Sequence, residues 1–470
     1  MSRMKMMFSS SRWLSVRPYR AAVPAAFVSG GVPFWIAIAS VAFLVATGCE
    51  RQPRRSAEPP VAPSGTGEVP VAVAPVPDDA AAVEALRAAG AILITGSDGN
   101  VTEFSLASQT DVSAQLVHLK GIPGTTSATF TGPGITGAGM EHLAALTRIK
   151  RLDLTDSAVD PAILKVIGQL RELEALSLRR TPVTDQSLAD LTQLPKLRAL
   201  DLRNTNITDA GLGSVAKIKT LVDLQLEKSK VNDPGVAQLA GLPLKSFNVN
   251  YCTTVSDVSM ETLGKIKTLE SLQLDSTKIS DAGMVHLAGL NRLKRLRIRD
   301  TDITGEGFKH IAGLVGLERL ELRGTSLDDA GMAVIAELPK VKFLDLAECR
   351  LVSPEGMKPI GKLTGLTYLG CWETKLDDEV LAALTNLTAL TELDLKATQI
   401  TDAAIPSILQ FRELVDLNVA GTQLTNDGFR ELAKLPKLKK INVANTSIGY
   451  DVIDELAAAN GGIEVVESGD

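Results

Sequence analysis

The sequence predicts an α/β solenoid of about 14 to 15 coils, with a parallel sheet on its concave face and helices on its convex face. Two observations predict this fold. A segment of 24 residues repeats along most of the 470-residue chain, and each repeat has two halves with different hydrophobic spacing. One unit of this length cannot bury its own apolar side chains, whereas stacked units can share a continuous core.

The two halves of a unit are seen when the units are aligned from their first strand residue, position 1. Leucine at positions 2 and 4 has the period-two spacing of a short strand. The stripe Leu188-x-x-Leu191-x-x-Leu194-x-x-Leu197 is typical of a buried α or 3₁₀ helix. Units that show both halves include RLDLTDSAVD from Arg151, ALSLRRTPVTD from Ala175, ALDLRNTNITDAGL from Ala199, SLQLDSTKISDAGM from Ser271, RLRIRDTDITGEGF from Arg295 and ELDLKATQITDAAI from Glu392.

Polar and proline residues mark the ends of each helix. Thr or Ser followed by Asp, as in Thr208-Asp209, precedes the helical stripe and supplies oxygens that cap a helix. Proline at position 21, as in Pro195, ends the helical turn. We therefore expect the solenoid over residues 103–464, preceded by an N-terminal cap of one helix and a hairpin over residues 78–106. A short C-terminal tail would cover residues 465–470.

These repeats resemble the leucine-rich repeat. The shared pattern L-x-x-L-x-L-x-x-T-x-I-T-D-x-G-L is similar to a shortened form of the cysteine-containing subclass of that family. The resemblance covers roughly residues 103–464, about three quarters of the chain, and many units agree with it. It implies a curved solenoid, in agreement with the alternation of strand and helix spacing.

The first 49 residues have the layout of an export signal. Five Arg or Lys residues precede an uncharged stretch from Ala21 to Gly48, which is followed directly by Cys49. The segment Ala-Thr-Gly-Cys resembles a bacterial lipobox, which implies cleavage before Cys49 and acylation of its thiol. An uncleaved N-terminal anchor is the alternative. Either arrangement predicts an exported, membrane-anchored protein of the bacterial cell envelope, on the periplasmic or surface side.

Residues 50–77 predict a linker between this anchor and the repeats. The segment contains seven prolines, separated by Ser, Gly and small apolar residues, and such a composition cannot build a core. We expect a disordered, semi-extended tether.

The charge balance argues against two classes of partner. The chain has a net charge of -6, but eight of its 49 basic side chains and one of its 55 acidic side chains lie in the first 55 residues. The remainder therefore carries a net charge of -13. An acidic body argues against a duplex nucleic-acid partner, which requires a broad basic face, and against docking on anionic lipid.

The histidines are candidates for a metal or proton site. All four lie at position 16 of their units, so stacked units would bring His118 near His142 and His286 near His310. The alternative is a partly exposed helical column that tolerates polar residues. We favour this alternative because no carboxylate or Cys motif accompanies the histidines. The sequence thus predicts no metal and no cofactor.

Three cysteines of the repeats are candidates for a nucleophile. Cys252 and Cys349 occupy position 7, where other units carry Thr or Ser, and Cys371 replaces a core Leu at position 4. All three thiols should be buried, which argues against catalysis. The chain also lacks a phosphate-binding Gly loop, H-E-x-x-H and G-x-S-x-G, so we expect a protein that is not an enzyme.

The concave face is the best candidate for a binding site, because side chains at positions 1, 3 and 5 point away from the core. Arginines and aromatic residues, which dominate binding hot spots, cluster there in four consecutive units. The candidate ligand-binding residues are Arg295, Arg297, Arg299, Arg319, Arg323, Phe343, Tyr368 and Trp372. A weaker basic group comprises Arg179, Arg180 and Arg203, with Tyr251 further along.

The register predicts like charges facing each other within this cluster. Arg295 should face Arg319, and Arg299 should face Arg323, which is mildly destabilising. We therefore expect Arg299→Glu to leave the stability unchanged or to raise it. The alternative is a solvated sheet whose arginines are partly neutralised by Glu321, Asp300 and Asp345.

The function predicted from the sequence is that of a non-catalytic, membrane-tethered repeat protein. It would bind a protein or polysaccharide of acidic character through its concave face, and not a nucleic acid. One alternative is a structural envelope scaffold that assembles through its convex helices or solenoid edges. A more distant alternative is an accessory subunit of an envelope enzyme.

Overall fold

The computed structural model describes residues 76–468. The chain divides into two compact units, Met1–Val69 and Pro70–Asp470, and every described residue belongs to the second unit. The predicted export signal with Cys49, and all but the end of the predicted linker, lie outside the described residues. Within residues 76–468, none of the helices has the length and apolar character needed to cross a membrane.

The second unit contains one 17-stranded sheet. Its strands are β1 (Ile92–Thr95), β2 (Val101–Ala107), β3 (Ser127–Thr131), β4 (Arg151–Asp153), β5 (Ala175–Ser177), β6 (Ala199–Asp201), β7 (Asp223–Gln225), β8 (Ser246–Asn248), β9 (Ser271–Gln273), β10 (Arg295–Arg297), β11 (Arg319–Glu321), β12 (Phe343–Asp345), β13 (Tyr368–Gly370), β14 (Glu392–Asp394), β15 (Asp416–Asn418), β16 (Lys440–Asn442) and β17 (Glu464–Val466). β1 and β2 form an antiparallel hairpin, and from β2 to β17 each strand pairs in parallel with the next one in the chain.

Short helical segments follow the strands and form the second layer. The α-helices are α1 (Ala80–Ala88), α2 (Leu164–Ile167), α3 (Asp209–Val215), α4 (Asp233–Ala237), α5 (Asp257–Leu263), α6 (Asp281–Met284), α7 (Gly305–Phe308), α8 (Asp329–Ile335), α9 (Pro354–Met357), α10 (Asp378–Ala383), α11 (Ile405–Ile408), α12 (Asn426–Leu432) and α13 (Tyr450–Ala458). The 3₁₀ helices are Ser113–Gly121, Met140–Ala145, Pro161–Ile163, Ser187–Gln193, Gln238–Gly241, Val285–Gly289, Lys309–Ile311, Lys358–Lys362, Asp402–Ala404 and Ala459–Gly461.

The predicted α/β solenoid is confirmed. Leucines at positions 2 and 4, such as Leu200 and Leu202, are fully buried between the sheet and the helices. The strand register aligns equivalent positions of neighbouring units, so that Leu200 lies between Leu176 and Leu224. One hydrophobic core therefore runs through the repeats, from Leu86 of α1 to Ile463 before β17.

The ends of the sheet are formed by the segments flanking the repeats. At the N-terminal end, Asp79 caps α1 by accepting a hydrogen bond from the backbone N–H of Ala81 (2.9 Å), and the β1–β2 hairpin follows. At the C-terminal end, β17 pairs with β16 and continues the sheet two residues beyond residue 464.

A sharp turn after each strand sends the chain toward the helical layer. The residue at position 6 has a positive φ in unit after unit, for example 55° at Asn204 and 53° at Asp300. The hydroxyl at position 7 then donates a hydrogen bond to the carbonyl at position 4, as Thr205 does to Leu202 (2.6 Å). This turn explains why position 7 is a small polar residue in most units.

The Thr-Asp pair links neighbouring coils as well as capping a helix. Thr208 caps α3, because its hydroxyl accepts a hydrogen bond from the backbone N–H of Ala210 (3.3 Å). Asp209 instead points to the next coil and accepts a hydrogen bond from the backbone N–H of Asn232 (2.7 Å). The spacing within one unit predicts capping for both residues and does not reveal this link between coils.

The same link requires the glycine of the T-D-x-G pattern. A Cβ atom at Gly235 would lie 2.2 Å from an Oδ1 atom of Asp209, so any larger residue would clash with the carboxylate. One pair of coils departs from this pattern. Its capping residue is Asp328, and the preceding coil has Gly305 in place of the linking Asp. This replacement prevents two carboxylates from meeting, because a Cβ atom at Gly305 would lie 2.1 Å from Asp328.

Candidate functional site

The sheet has one face turned away from the core, formed by positions 1, 3 and 5, which we call the outer face. The structure brings all eight candidate ligand-binding residues together there, on β10 to β13 and the residues directly after these strands. The register pairs Arg295 with Arg319, Arg319 with Phe343, and Phe343 with Tyr368. Arg299, Arg323 and Trp372 occupy position 5 of the same units.

The side chains at position 1 of three neighbouring strands form a stack. The rings of Phe343 and Tyr368 are parallel within 3°, with centroids 3.9 Å apart. The guanidinium of Arg319 lies over the ring of Phe343, with its central carbon 3.4 Å from the centroid. The order along the solenoid is thus Arg319, Phe343 and Tyr368, and each layer contacts the next through its flat face.

At position 5 of neighbouring units, two cationic side chains lie against one aromatic ring. The guanidinium of Arg323 lies 4.4 Å from a ring centroid of Trp372, and the ammonium of Lys396 lies 5.0 Å from it. Arg323 also donates hydrogen bonds to Glu348 from Nε (2.8 Å) and Nη2 (2.6 Å). Leu351, on the loop that follows β12, is exposed.

Ion pairs with buried carboxylates hold Arg297, Arg299 and Arg319. Arg297 donates from Nε to Asp275 (2.5 Å), and Arg319 donates from Nε to Glu321 (2.6 Å). Arg299 bridges Glu321 and Asp345 through Nη2, which lies 3.2 Å from an Oδ2 atom of Asp345. The three carboxylate side chains are 0%, 7% and 9% exposed, so these pairs are largely removed from water.

The expected repulsion between Arg299 and Arg323 is wrong. Each guanidinium is directed to carboxylates, Arg299 to Glu321 and Asp345 and Arg323 to Glu348. Each of these two guanidinium groups therefore contacts carboxylates rather than the other guanidinium. Asp300, which the sequence analysis also considered as a neutralising group, forms no ion pair within residues 76–468.

Burial shifts the pKa of the carboxylates on the outer face. It raises the pKa of Asp275 to about 6, although Arg297 and Arg299 oppose the shift. Burial also raises the pKa of Asp345 and of Asp394, and the negative charge of Asp345 adds to the shift at Asp394. The pKa of the Tyr368 hydroxyl is raised by burial and by both of these carboxylates. The arginines thus offset only part of the cost of burying the charged carboxylates.

Gly370 provides the space that Tyr368 occupies. A Cβ atom at Gly370 would lie 2.9 Å from the Tyr368 hydroxyl and 3.1 Å from an Oδ1 atom of Asp345. The absence of a side chain at position 3 of β13 therefore allows the Tyr368 ring to lie along the sheet.

Sequence reasoning missed the acidic half of this surface. Asp275 lies at position 5 of the unit before Arg299, and Glu348 lies at position 6 of the unit after Arg323. Asp275 could have been found by reading acidic residues along the column that revealed Arg299, whereas Glu348 lies one position outside the columns that revealed the arginines.

Two arginines of the second basic group, Arg180 and Arg203, are neutralised by neighbouring carboxylates. Arg203 binds the buried Asp201 through Nε and Nη2, the latter at 2.6 Å. Arg180 pairs with Asp156. Tyr251 lies further along and carries the ammonium of Lys228 at 4.9 Å from its ring centroid.

The cysteines and histidines lie apart from the outer-face cluster. All three described cysteines are buried and reduced, and burial raises the pKa of Cys349 to about 11. A thiol with such a pKa is a poor nucleophile at neutral pH. The four histidines are half-buried in the helical layer. Within residues 76–468, no group of three His, Cys, Asp or Glu residues is placed to hold a metal ion.

Comparisons with known proteins agree with the repeat geometry. A family model described as leucine-rich repeat region matches residues 329–459, and a second leucine-rich repeat model matches residues 193–216 and 265–288. No curated protein was found to match the chain.

Two solved structures illustrate the likeness of the fold. An internalin (InlF) of Listeria monocytogenes is 22% identical, with 79% of this chain and 99% of that chain covered and a TM-score of 0.47. The leucine-rich repeat protein LIC12759 of Leptospira interrogans is 19% identical, with 74% and 91% covered and a TM-score of 0.49.

The family follows from the internal evidence together with the family models. The 24-residue period, the buried leucines at positions 2 and 4 and the parallel register from β2 to β17 are all features of stacked repeats. The family models match three separate stretches within the same repeats. The chain therefore contains leucine-rich repeats, which the family models match at residues 193–216, 265–288 and 329–459.

Proposed function

We propose that this protein binds a partner protein through the outer face of β10 to β14. The leucine-rich repeat fold suggests a role in protein binding, because stacked repeats present an extended sheet surface. The observation that carries the proposal is the placement of Phe343, Tyr368 and Trp372 as half-buried neighbours on this face. Aromatic residues and arginine are the types that dominate binding energy at interfaces.

The ion pairs support the proposal because they fix the surface before binding. Arg299 and Arg319 are each held by Glu321, and Arg323 is held by Glu348. A long side chain that is already ordered loses little conformational freedom when a partner covers it. The surface is therefore suited to tight contact with a partner of complementary shape.

The charge of the partner is expected to vary along this surface. Arg295 is exposed and forms no ion pair within the described part of the chain, so it is available to an acidic group. Arg297, Arg299, Arg319 and Arg323 are already paired. The acidic character predicted from the sequence is therefore proposed only for the part of the partner that covers β10.

The proposed role is binding rather than catalysis. The carboxylates of the cluster are held in ion pairs with arginine, and the thiols of the repeats are buried. A general acid or base must instead be able to reach a substrate proton. The chemistry on the outer face is therefore suited to recognition.

We also propose that the protein is exported and tethered by a lipid on Cys49. The support for this proposal is the sequence of the first 49 residues alone. Cys49→Ser should abolish incorporation of a radiolabelled fatty acid, because the thioether forms only at the thiol. Retained labelling would contradict lipidation and favour the uncleaved anchor.

The proposed binding surface is tested by capturing partners with three forms of the full-length chain. Trp372→Ala should weaken capture of the specific partner at least tenfold, as a rough hot-spot estimate. Tyr450→Ala is the matched control, because Tyr450 is an aromatic residue that is 82% exposed on α13, away from the surface. Equal capture by all three forms would favour the scaffold alternative, and capture of polysaccharide alone would change the class of partner.

A further inference from the structure

The geometry points to a cation subsite on the outer face, formed by Tyr368, Glu392 and Asp394. We propose that the partner places the guanidinium or ammonium group of a basic side chain on the ring of Tyr368, beside these two carboxylates. This inference rests on the proposed function and adds the chemistry of one contact. It also differs from the acidic partner expected over β10.

The first observation is that the position-1 stack ends at Tyr368. One face of the Tyr368 ring is covered by Phe343, which in turn carries Arg319. Within residues 76–468, no second ring and no cation packs on Tyr368. The next residue in the same column, on the β14 side, is the exposed Glu392. The stack therefore has one aromatic face without a cation.

The second observation is that the other end of the same stack already holds such a cation. Arg319 lies flat on Phe343 at 3.4 Å and donates a hydrogen bond to the carboxylate of Glu321 (2.6 Å). Tyr368 has the corresponding ring, and Asp394 occupies position 3 of the next strand, as Glu321 does on the strand of Arg319. Glu392 adds a second carboxylate at position 1 of that strand. The protein thus shows, with its own arginine, the arrangement that the partner would complete.

The third observation is the change in charge along the sheet. The outer face is rich in arginine on β10 and β11, whereas the charged residues at positions 1 and 3 of β14 and β15 are acidic, namely Glu392, Asp394 and Asp416. Glu392 forms no ion pair within the described range. A ring beside unpaired negative charge is the arrangement that binds cations.

Nearby groups neutralise this acidic region only in part. The positive charge of Lys396, at position 5 of the same unit, opposes the rise in the pKa of Asp394, and Lys396 also contacts Trp372. The positive charge of Lys440 on β16 opposes the rise in the pKa of Asp416. Arg299 approaches Asp345 from the β10 side. Burial nevertheless raises the pKa of Asp345, Asp394 and Asp416. Repulsion from Glu321 adds to the rise at Asp345, and repulsion from Asp345 adds to the rise at Asp394. A bound cation would offset this excess of negative charge.

The test selects ligands for the full-length chain in detergent micelles from a displayed library of random dodecapeptides. Peptides that bind the wild type and lose binding to Trp372→Ala are sequenced, and their enriched residues are compared with the starting library. We expect Arg or Lys at one position of the selected peptides. In the best peptide, replacing that Arg by citrulline keeps the shape and removes the charge, and should weaken binding to the wild type about tenfold.

The variant Glu392→Gln assigns this effect to the subsite. In this variant, the loss caused by citrulline should fall to twofold or less, because the carboxylate partner is gone. Glu464→Gln is the matched control, since Glu464 is an exposed carboxylate at position 1 of β17. In the control, the tenfold loss should remain.

The outcomes distinguish the subsite from the proposed function. Peptides that require Trp372 but contain no enriched basic residue would overturn the subsite and leave the proposed function standing. An equal citrulline effect in Glu392→Gln and the wild type would do the same. If no selected peptide depends on Trp372, the proposed function is contradicted, and the subsite falls with it.

Discussion

The substitution Arg299→Glu tests the ion-pair network of the outer face. In the wild type, Arg299 bridges Glu321 and Asp345, whose side chains are 7% and 9% exposed. The substitution removes the ion pair of Asp345 and adds a third carboxylate beside these two. Removing one partner of a buried ion pair costs about 3–5 kcal/mol. Arg299 is itself 24% exposed, so we expect a loss at the lower end of this range, about 3 kcal/mol.

Chemical denaturation of the full-length chain at pH 7, followed by far-ultraviolet circular dichroism, measures this loss. Arg295→Glu is the matched control, because Arg295 lies on the same strand and face but is exposed and outside the network. We expect the control to change the free energy of unfolding by less than about 0.5 kcal/mol. If Arg299→Glu were as stable as Arg295→Glu, the network would not stabilise the fold and this reasoning would be refuted.

Three further predictions concern the core, the links between coils and a buried acid. Leu320→Ala should cost about 2–5 kcal/mol in chemical denaturation, because it leaves a cavity at a fully buried position; a loss below 1 kcal/mol would mean that the inward register is wrong. Gly305→Ala should lower the melting temperature, because its Cβ would lie 2.1 Å from Asp328, whereas Gly313→Ala, with nothing within 4 Å, should not; equal melting temperatures would contradict the close approach. Burial raises the pKa of Asp223 from 3.8 to about 6, so the folded state retains a proton that the unfolded state has released, and stability decreases as the pH rises from about 4 to about 6. Asp223→Asn should therefore be more stable than the wild type by up to about 3 kcal/mol at pH 7.5 and by little at pH 4, and a pH-independent difference would contradict the shift.

The alternation of strand and helix could be predicted because it depends on local spacing. Leucine recurs so regularly at positions 2 and 4 that the burial of Leu200 and Leu320, both at position 2, follows from the strand spacing. The same alternation places Arg297 and Tyr368 on the outer face. Each of these inferences requires only the side-chain period of a strand and the repeat length.

The links between coils could not be predicted from spacing within one unit. Asp209 is in the right position to cap its own helix, and only the structure shows that it accepts a hydrogen bond from Asn232 in the next coil. The requirement for Gly235 depends on that link, because the carboxylate of Asp209 fills the space a side chain would need. The sequence pattern T-D-x-G contains both residues but not the contact between them.

The charges of the candidate site were misjudged for a related reason. The repeat register places Arg299 directly opposite Arg323, and this alignment alone predicted repulsion between them. Long side chains also reach diagonal neighbours, and Arg299 extends to Glu321 and Asp345 on the next two strands. Which neighbour an arginine selects depends on side-chain conformation and burial, which the repeat pattern does not specify.

Site-specific photo-crosslinking in cells tests the central claim most directly. A photoreactive phenylalanine analogue is introduced at Tyr368 on the outer face, and separately at Val258, which is 67% exposed on α5 in the helical layer. If the outer face binds the partner, the probe at position 368 crosslinks to a distinct protein, and the probe at position 258 does not crosslink to it. A partner crosslinked from position 258 and not from position 368 would contradict the account and favour assembly through the helices.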